Sequence, residues 1–593
     1  MKDVYVLGLQ LGHNSSAALL CNGRVLAAIS EEKFDNIKNS SAFPLKSISW
    51  LLEREGIKGE DLAAVVHSSY YCACSQMIVD PILANKKRSE IGFSFLSSLA
   101  GKVEVKVGAS QNLRSLLMQT HFLALERESK KAKKIFESLL KKHFSIDSSK
   151  LHYVRHHLAH SYYGYFGQNN VKADKSLIIT MDGSGEKEFA TISIADKKKK
   201  KITLVSSSRW DSSIGYVYAA TTKYLGMKPI EHEYKVMGLA PYAKDYYKKT
   251  YEKIFKDIIE FDEKTLEFHS SFPLTRFDLY LLEKAKYERF DNVAAALQEW
   301  TERTVTTWIE AAIKKYGIDE LYFSGGLFMN VKLNQRITEM KSVKKAYFIG
   351  SCGDESNCIG AGYIISQKLD PKTELLPLEN FYLGNEYCNE DVEAFIKEKN
   401  LEKKYDVEYF EDIEEKTAEL LSQDCVVARV KGRCEWGARA LGNRSILANP
   451  SKMENFFKVN DQVKMRDFWM PFAPSLLIED HKLYVSNPKN YKAPYMILSF
   501  HSTVLGQDKL RAALHQADKT LRAQLVEKEV NPSYHRLISL FKEKTGIGGV
   551  LNTSFNLHGY PLVSSLKQAL FTFENCKLEY LCLENYVISK KKK

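Results

Sequence analysis

Hydrophobic and polar positions alternate near the start of the chain in the way that short strands and tight turns require. Two apolar runs, residues 4–9 and 17–21, flank a polar loop at residues 12–16. Asn22-Gly23 then leads into residues 24–29, and Asn-Gly between two apolar runs is a strong hairpin signal. The pattern predicts a strand, a polar loop and a hairpin.

The same plan returns further along the chain. Residues 177–181 are apolar and rich in β-branched side chains, and residues 182–186 form a polar loop with glycine. Residues 190–195 and 202–206 have the pattern of two strands joined by a lysine-rich turn. Two copies of one plan predict a duplicated α/β architecture with a cleft between its halves, as in actin-like and sugar-kinase-like ATPases.

Helical periodicity covers residues 110–123, 130–144 and 293–316. Two apolar strands follow, residues 320–323 and 346–350, and each runs into a glycine loop. Strands and helices in this order are typical of a parallel sheet that binds ligands at the carboxyl ends of its strands.

The pattern lapses between residues 369 and 386, where proline and polar residues interrupt the periodicity. We interpret this stretch as a linker. Because 593 residues are too many for one ordinary core, we predict two domains, 1–375 and 376–593.

Charge changes this picture little. The net charge of +12 raises the question of a nucleic-acid partner, but residues 130–134, 197–201 and 590–593 alone contain thirteen lysines. We interpret them as solvated lysines on an exposed helix, in a turn and at a terminus. They lack the interleaved aromatic residues that stack on bases, so we do not expect a nucleic-acid partner.

Composition is typical of a soluble globular protein, with 44% hydrophobic and 27% charged residues. We find neither a membrane-length apolar run nor a signal peptide. Of the ten cysteines only Cys72 and Cys74 lie close together, which is no disulfide framework. We therefore expect a cytoplasmic protein with reduced thiols and no membrane partner. The oligomeric state stays open, with a homodimer as one alternative.

Two histidines are candidate metal ligands. His156 and His160 are four residues apart, so on a helix both imidazoles face the same way and bind one ion. Asp182 and Asp354 each follow an apolar strand beside a glycine and are candidate further ligands. Mixed histidine and carboxylate ligation suits iron, which we expect first, or manganese or zinc. The alternative is a polar helix start with ordinary histidines.

Glycine loops at residues 182–186, 324–326 and 353–362 are candidate phosphate sites, because backbone amides approach phosphate closely there. Each alone is often a simple turn, but three in a duplicated fold favour a nucleotide cleft. The candidate nucleotide-binding residues are Gly325, Gly326, Asn330 and Asp354.

His13, in the first polar loop, is a candidate general base on an acceptor hydroxyl, because histidine titrates near working pH. Considered alone, such a histidine is more often a bystander.

A basic constellation lies in the second predicted domain, followed by an apolar strand that ends in Thr553 and Ser554. Cations close to glycine and hydroxyl groups suit a phosphate or another small anion, whereas the alternative is a solvated basic face. The cations are Arg433, Arg439, Arg444, Lys464, Arg466 and Arg522.

With these residues in view, the sequence resembles the O-carbamoyltransferases typified by nodulation protein U and by the tobramycin and cephalosporin carbamoyltransferases. The similarity runs nearly from end to end. The shared motifs lie at residues 12–19, 31–34, 156–160, 182–186, 233–242, 325–330, 353–355, 433–450, 471–475, 531–538 and 551–556.

The resemblance implies an actin-like (ASKHA-type) N-terminal domain, related to tRNA threonylcarbamoyl transferases, and a YrdC-like α/β C-terminal domain. The C-terminal domain is expected to make carbamoyl adenylate from carbamoyl phosphate and ATP. The N-terminal domain then passes the carbamoyl group to a hydroxyl of a saccharide or natural product. Matched residues imply a metal site of His156, His160, Asp182 and Asp354, His13 as the base, and carbamoyl phosphate held by Arg439, Lys464, Arg522 and Ser554.

Three positions depart from the family pattern. Met470 replaces the arginine before Pro-Phe-Ala-Pro, Ala438 replaces a proline and Asn14 replaces an aspartate. Losing a cation weakens phosphate binding unless another replaces it, and Arg466 is the candidate. Two alternatives stay open: a tRNA threonylcarbamoyl-type transferase, and an actin-like ATP-binding scaffold without transfer activity.

Overall fold

The computed structural model describes residues 3–71, 111–170 and 172–591 and has the predicted α/β class. The Cys72 and Cys74 pair lies outside these residues. In the described part of the chain, no helix has both the length and the apolar character needed to cross a membrane.

The first sheet has the strand order β3-β2-β1-β4-β5. β1, β2 and β3 are antiparallel, and β4 and β5 run parallel to β1. Asn22 and Gly23 have φ values of 50° and 81°, as a two-residue hairpin turn requires, so the predicted hairpin is confirmed. The strands are β1 (Tyr5–Gln10), β2 (Ser16–Cys21), β3 (Arg24–Ser30), β4 (Leu62–His67) and β5 (Leu151–Tyr153).

The second sheet has the order β12-β11-β6-β7-β8 and repeats the strand directions of the first. Residues 182–185 were predicted as a loop but continue β6, with a register shift between Met181 and Gly185. The strands of this region are β6 (Lys175–Gly185), β7 (Glu188–Asp196), β8 (Lys201–Arg209), β9 (Glu260–Phe261), β10 (Phe268–His269), β11 (Glu320–Ser324) and β12 (Lys345–Phe348), with β9 and β10 forming a separate pair.

Helices connect these strands. The two helices predicted at residues 110–123 and 130–144 form one helix, because no glycine or proline separates them. The helices are Glu32–Asp35, Leu45–Glu55, Gln111–Phe144, His156–Phe166, Ile214–Tyr224, Glu233–Leu239, Tyr247–Ile254, Phe277–Lys284, Phe290–Tyr316, Val331–Glu339 and Asn357–Leu369.

Two of these helices, His156–Phe166 and Asn357–Leu369, pack against each other and against the two sheets. A Cβ at Gly360 would lie 2.0 Å from the carbonyl oxygen of Ala159, so only glycine permits this helix approach. The close packing fixes how the first turns of the two helices sit relative to each other.

Residues 370–388 contain neither helix nor strand, as predicted for a linker, but they are not loose. Leu378, Phe381, Tyr382 and Leu383 are buried. A single apolar core includes residues of both five-stranded sheets and of the C-terminal half. The proposed boundary at residue 375 is therefore crossed by packed side chains.

The C-terminal half holds an eight-stranded sheet of order β13-β23-β22-β14-β15-β21-β16-β20 and a small sheet of β17, β18 and β19. Its strands are β13 (Tyr405–Tyr409), β14 (Val427–Val430), β15 (Arg444–Ala448), β16 (Ala473–Leu477), β17 (Val485–Ser486), β18 (Phe500–Ser502), β19 (Thr520–Leu521), β20 (Gln524–Val526), β21 (Gly549–Ser554), β22 (Tyr580–Leu583) and β23 (Tyr586–Lys590). Its helices are Asn389–Lys399, Ile413–Ser422, Met453–Val459, His481–Tyr484, Val504–Lys509, Pro532–Thr545 and Leu566–Glu574.

Candidate functional site

His156 and His160 lie on the first turns of a helix, one above the other, and both are buried. Their Nε2 atoms are 3.1 Å apart, so both imidazoles point at one place. The Nδ1 atom of His160 lies 3.4 Å from the hydroxyl of Ser324, at the end of β11. A proton on Nδ1, donated to Ser324, leaves Nε2 of His160 with a free lone pair.

Asp182 and Asp354 reach the same place from β6 and from the turn that follows β12. Asp182 lies at the register shift in β6, and Asp354 begins a short turn after β12. Asp182 Oδ2 is 3.3 Å from Nε2 of His156 and 3.4 Å from Nε2 of His160. Asp354 Oδ1 lies at the same two distances. The structure therefore brings together all four predicted ligands.

Electrostatics within the cluster are strong. Burial alone would lower the pKa of His156, but the carboxylates of Asp354 and Asp182 outweigh it and raise that pKa to about 10. Burial opposes ionisation of Asp182, yet its contacts with His156 and His160 hold its pKa well below the usual range. Asp354 Oδ1 is buried and accepts no hydrogen bond from the described residues. The raised pKa keeps a proton on His156 that offsets negative charge of the carboxylates, and a metal ion that binds both histidines would displace that proton.

The spacing of the donor atoms fits a metal ion. Ligands about 2.1 Å from one ion are separated by about 3.0–3.4 Å in octahedral or tetrahedral geometry. Five of the six pairs of donor atoms lie 3.1–3.4 Å apart, and all four atoms lie within 4.8 Å of one another. Two imidazoles with two carboxylates suit iron, manganese or zinc, as the sequence predicts.

Gly185 packs against the imidazole of His156 so closely that no side chain fits at this position. A Cβ there would lie 2.1 Å from Cδ2 of His156, whereas a Cβ at Gly183 would meet nothing within 4 Å. We expect Gly185→Ala to displace the imidazole, weaken Mn²⁺ binding at least tenfold and lower stability by about 1–3 kcal/mol. Gly183→Ala is the matched control and should leave both quantities unchanged. Calorimetric Mn²⁺ titration and thermal unfolding measure them, and equal Mn²⁺ affinities for the two variants would contradict this account.

His157 and His13 have different surroundings. The ring of His157 is held between the Thr180 hydroxyl, 2.8 Å from Nδ1, and the carbonyl oxygen of Glu188, 3.2 Å from Nε2, so it is structural. His13 lies in the loop between β1 and β2 and lines the same cavity as Asp182 and Asp354.

The predicted nucleotide residues serve partly in packing. Gly325 has φ of 103°, and its added Cβ would lie 2.2 Å from the carbonyl oxygen of Met181. A Cβ at Gly326 would lie 2.8 Å from Asp182 Oδ1, so these glycines let the turn after β11 approach the cluster. The side chain of Asn330 caps the helix Val331–Glu339 and bonds Gln298. Gly326, Asn330 and Asp354 line the cavity, and Gly325 lies behind them.

Four cations of the C-terminal half gather at one wall of this cavity, namely Arg439, Lys464, Arg466 and Arg522. Within the described residues none of them pairs with a carboxylate, and Arg439 and Arg522 form no hydrogen bond either. Burial, with the charges of Arg439 and Arg466, lowers the pKa of Arg522 well below its usual range. Positive charge concentrated without a counter-ion favours an anionic ligand.

Lys464 and Arg466 are held by the end of β21. The Lys464 ammonium lies 3.1 Å from the hydroxyl of Ser554 and 2.5 Å from Oδ1 of Asn556, and it also contacts the Ser554 carbonyl. Arg466 donates a 3.2 Å hydrogen bond to the Thr553 hydroxyl. Ser554 therefore lies beside the cation cluster, as predicted.

Two cations of the predicted constellation are not at this wall, which corrects that part of the sequence interpretation. Arg444 donates to the carbonyl oxygens of Lys431, Gly432, Asn443 and Asn385. Arg433 donates to the carbonyls of Leu383 and Gly384, among others, so both guanidinium groups hold the backbone. Their spacing among glycines did not distinguish them from Arg439.

One cavity of about 770 Å³ joins the two clusters. Asp182, Asp354 and His13 line one part of it, and the four cations and Ser554 line another. Met470, at the position without the family arginine, is buried in the same wall, and its sulfur packs near Gly238. A volume of this size is that of a small-molecule or cofactor site.

Two residues were not assigned roles from the sequence. Glu355 accepts hydrogen bonds from Ser351 and Asn14, and burial raises its pKa to about 7. Asn357 lies beside the histidines, with Nδ2 3.0 Å from Nε2 of His160. In the sequence, their position within three residues of Asp354 is the feature that could have indicated a role at the site.

The fold and the site define an α/β protein in which a wall of cations and a cluster of two histidines and two aspartates adjoin one cavity. Family models describe its class: the carbamoyltransferase N-terminus matches residues 5–363 and the carbamoyltransferase C-terminus matches residues 418–590. The chain belongs to the carbamoyltransferase family, enzymes that transfer carbamoyl groups, which confirms the resemblance drawn from the motifs.

Relatives extend over the whole chain. An uncharacterized protein of Methanocaldococcus jannaschii is 31% identical over 99% of this chain and 100% of its own length. Nodulation protein NolNO of Sinorhizobium fredii is 28% identical over 98% of this chain and 79% of its own. The 3'-hydroxymethylcephem-O-carbamoyltransferase of Streptomyces clavuligerus is 29% identical over 51% of this chain and 55% of its own.

Proposed function

We propose that this carbamoyltransferase is ATP-dependent and moves the carbamoyl group of carbamoyl phosphate, through carbamoyl adenylate, to a hydroxyl of a saccharide or natural product. The observation that carries the proposal is one cavity lined by a cluster of cations that have no carboxylate partner among the described residues, and by Asp182 and Asp354, whose carboxylates contact the buried His156 and His160. Anion activation and group transfer, which need different residues, both have suitable residues at this cavity.

Activation takes place at the cation wall. One carbamoyl phosphate, one ATP and one water give carbamoyl adenylate, pyrophosphate and phosphate: water releases carbamate and phosphate, and the carbamate oxygen displaces pyrophosphate from the α-phosphorus. Arg439 and Arg522, free of partners among the described residues, bind the phosphate oxygens. Lys464 holds Ser554 in place and adds positive charge. The cations offset the charge of the departing phosphate.

Transfer takes place at the other part of the cavity. The acceptor oxygen bonds to the carbamoyl carbon, AMP leaves, and the hydroxyl proton passes to a base, for which we propose His13. His156, His160, Asp182 and Asp354 would hold a divalent ion, which supplies Lewis-acid stabilisation of phosphate charge. Gly326 and Asp354 line the space for the nucleotide, and ATP enters with Mg²⁺. Two relatives named 3'-hydroxymethylcephem-O-carbamoyltransferase support a hydroxyl group as the acceptor.

Carbamoyl-phosphate-dependent release of pyrophosphate from ATP tests the activation step. Mass spectrometry for the gain of one carbamoyl unit, across a panel of saccharide and natural-product hydroxyls, tests the transfer step. Nucleotide binding without pyrophosphate release would contradict the proposal and favour an ATP-binding scaffold. Carbamoylation of threonine delivered to tRNA, with no small acceptor modified, would favour the tRNA-directed alternative.

Two substitutions test whether Arg466 replaces the family arginine that is absent at Met470. Because the Arg466 guanidinium already lies among the cations, we expect Met470→Arg to change the KM for carbamoyl phosphate by less than about threefold. Arg466→Gln should raise that KM about 10–100-fold, since a charge-assisted bond contributes about 1.5–3 kcal/mol. Steady-state pyrophosphate release measures both. A large fall in KM for Met470→Arg would show that the donor site of this chain is incomplete.

A further inference from the structure

We propose that the side-chain amide of Asn357 is a fifth donor to the metal ion, through its oxygen. The inference rests on the proposed metal site and adds a residue to it. Asn357 begins the helix that follows Asp354, and its side chain is completely buried. It is therefore placed by the same turn that presents Asp354, three residues before it.

The position of the amide is the first argument. Its Nδ2 atom lies 3.0 Å from Nε2 of His160 and 3.4 Å from Nε2 of His156. These separations are close to the five given for the other donor atoms, 3.1–3.4 Å. The amide atom thus lies beside the point at which both Nε2 lone pairs are directed.

Chemistry decides which amide atom faces that point. Once the two Nε2 lone pairs bind an ion, they no longer accept hydrogen bonds from the Asn357 NH₂ group, and its protons are repelled by the cation. The oxygen of Asn357 is buried and accepts no hydrogen bond from the described residues, so nothing there holds it in its present direction. A half-turn of the amide exchanges N and O at little change in shape and presents the oxygen to the ion.

A fifth, neutral donor gives the site a distinct character. Two carboxylates already balance a divalent charge, so an amide oxygen adds coordination without further negative charge. Imidazole, carboxylate and amide oxygen together suit iron or manganese better than a closed four-coordinate zinc site. The same side chain serves the metal-free protein as a hydrogen-bond donor to the histidines.

Binding of Co²⁺ and Mn²⁺ to chelator-stripped protein tests the proposal without any catalytic assay. Asn357→Leu keeps the size but removes the donor, and Asn357→Asp keeps an oxygen in the same place. We expect Asn357→Leu to weaken Mn²⁺ binding at least tenfold and to intensify the visible absorption of bound Co²⁺, because coordination becomes tetrahedral. Asn357→Asp should bind Mn²⁺ at least as tightly as wild type, with the weaker Co²⁺ absorption of higher coordination.

The outcomes separate this inference from the metal site itself. Wild-type protein that binds neither ion would overturn the metal site and the inference with it. Wild-type binding with an unchanged Mn²⁺ affinity and Co²⁺ spectrum in Asn357→Leu would overturn the fifth donor alone. If Asn357→Asp binds Mn²⁺ as weakly as Asn357→Leu and gives the same Co²⁺ spectrum, an oxygen at this position does not bind the ion, which also overturns the fifth donor. Circular dichroism and thermal unfolding establish that each variant is folded.

Discussion

Replacing both cluster histidines, His156→Ala with His160→Ala, is expected to abolish carbamoyl transfer while pyrophosphate release from ATP and carbamoyl phosphate continues. Metal-based charge stabilisation is worth several kcal/mol, so the transfer rate should fall at least about 10³-fold. The activating cations belong to the C-terminal half and make no contact with these histidines. Mass spectrometry of the acceptor and a coupled pyrophosphate assay measure the two steps separately.

The control for this variant lies between the two ligands. His157→Gln removes a buried imidazole of the same helix whose nitrogens face Thr180 and Glu188, not the cluster. It should retain transfer, with reduced stability. Chelation of the wild-type protein should reproduce the double-alanine result without any substitution. Loss of both steps together in the double variant would refute this division of labour.

Arg439→Gln with Arg522→Gln, which removes two guanidinium groups without a partner among the described residues, is expected to abolish donor-dependent pyrophosphate release at millimolar carbamoyl phosphate. A charge-assisted hydrogen bond to phosphate contributes about 1.5–3 kcal/mol, so each substitution should raise the donor KM about 10–100-fold. The combined effect is about 10²–10⁴-fold when the two contributions add. Mn²⁺ affinity at the histidine cluster should not change.

Arg433→Gln is the matched control, since its guanidinium lies in the same glycine-rich segment but bonds the Leu383 and Gly384 carbonyls outside the cavity. It should lower stability and leave the donor KM close to that of wild type. A donor KM unaffected by the double substitution would remove carbamoyl phosphate from this wall, even if the enzyme still transfers carbamoyl groups.

Local sequence predicts the strands and turns that depend on neighbouring residues, and it does not predict structure that depends on contacts between distant segments. Asn22-Gly23 fixed a hairpin because the positive φ values it needs are a local property. The loop predicted at residues 182–186 is strand because β7 pairs with Gly185 across a register shift, a tertiary interaction. The packed state of residues 370–388 likewise depends on partners far away in the chain.

The site shows the same limit. The spacing of His156 and His160 predicts a shared face, and the helix provides it. The neighbouring sequence does not distinguish Arg444 from Arg439. The Arg444 guanidinium donates to backbone carbonyl oxygens, whereas that of Arg439 has no partner among the described residues. Asn357 has no motif of its own: its importance follows from the packing of two helices at Gly360.

The undivided cavity has a consequence for the fate of the activated carbamoyl group. One molecule confined to about 770 Å³ is at a concentration of about 2 M, the scale on which enclosure replaces a bimolecular encounter. In the proposed reaction the adenylate made beside Arg439 meets the acceptor beside His13 at that concentration, without first being diluted into bulk water. Carbamoyl adenylate, a labile mixed anhydride, therefore reacts with the acceptor sooner than it would after diffusing into solution. The enzyme does not need to protect it from hydrolysis for long.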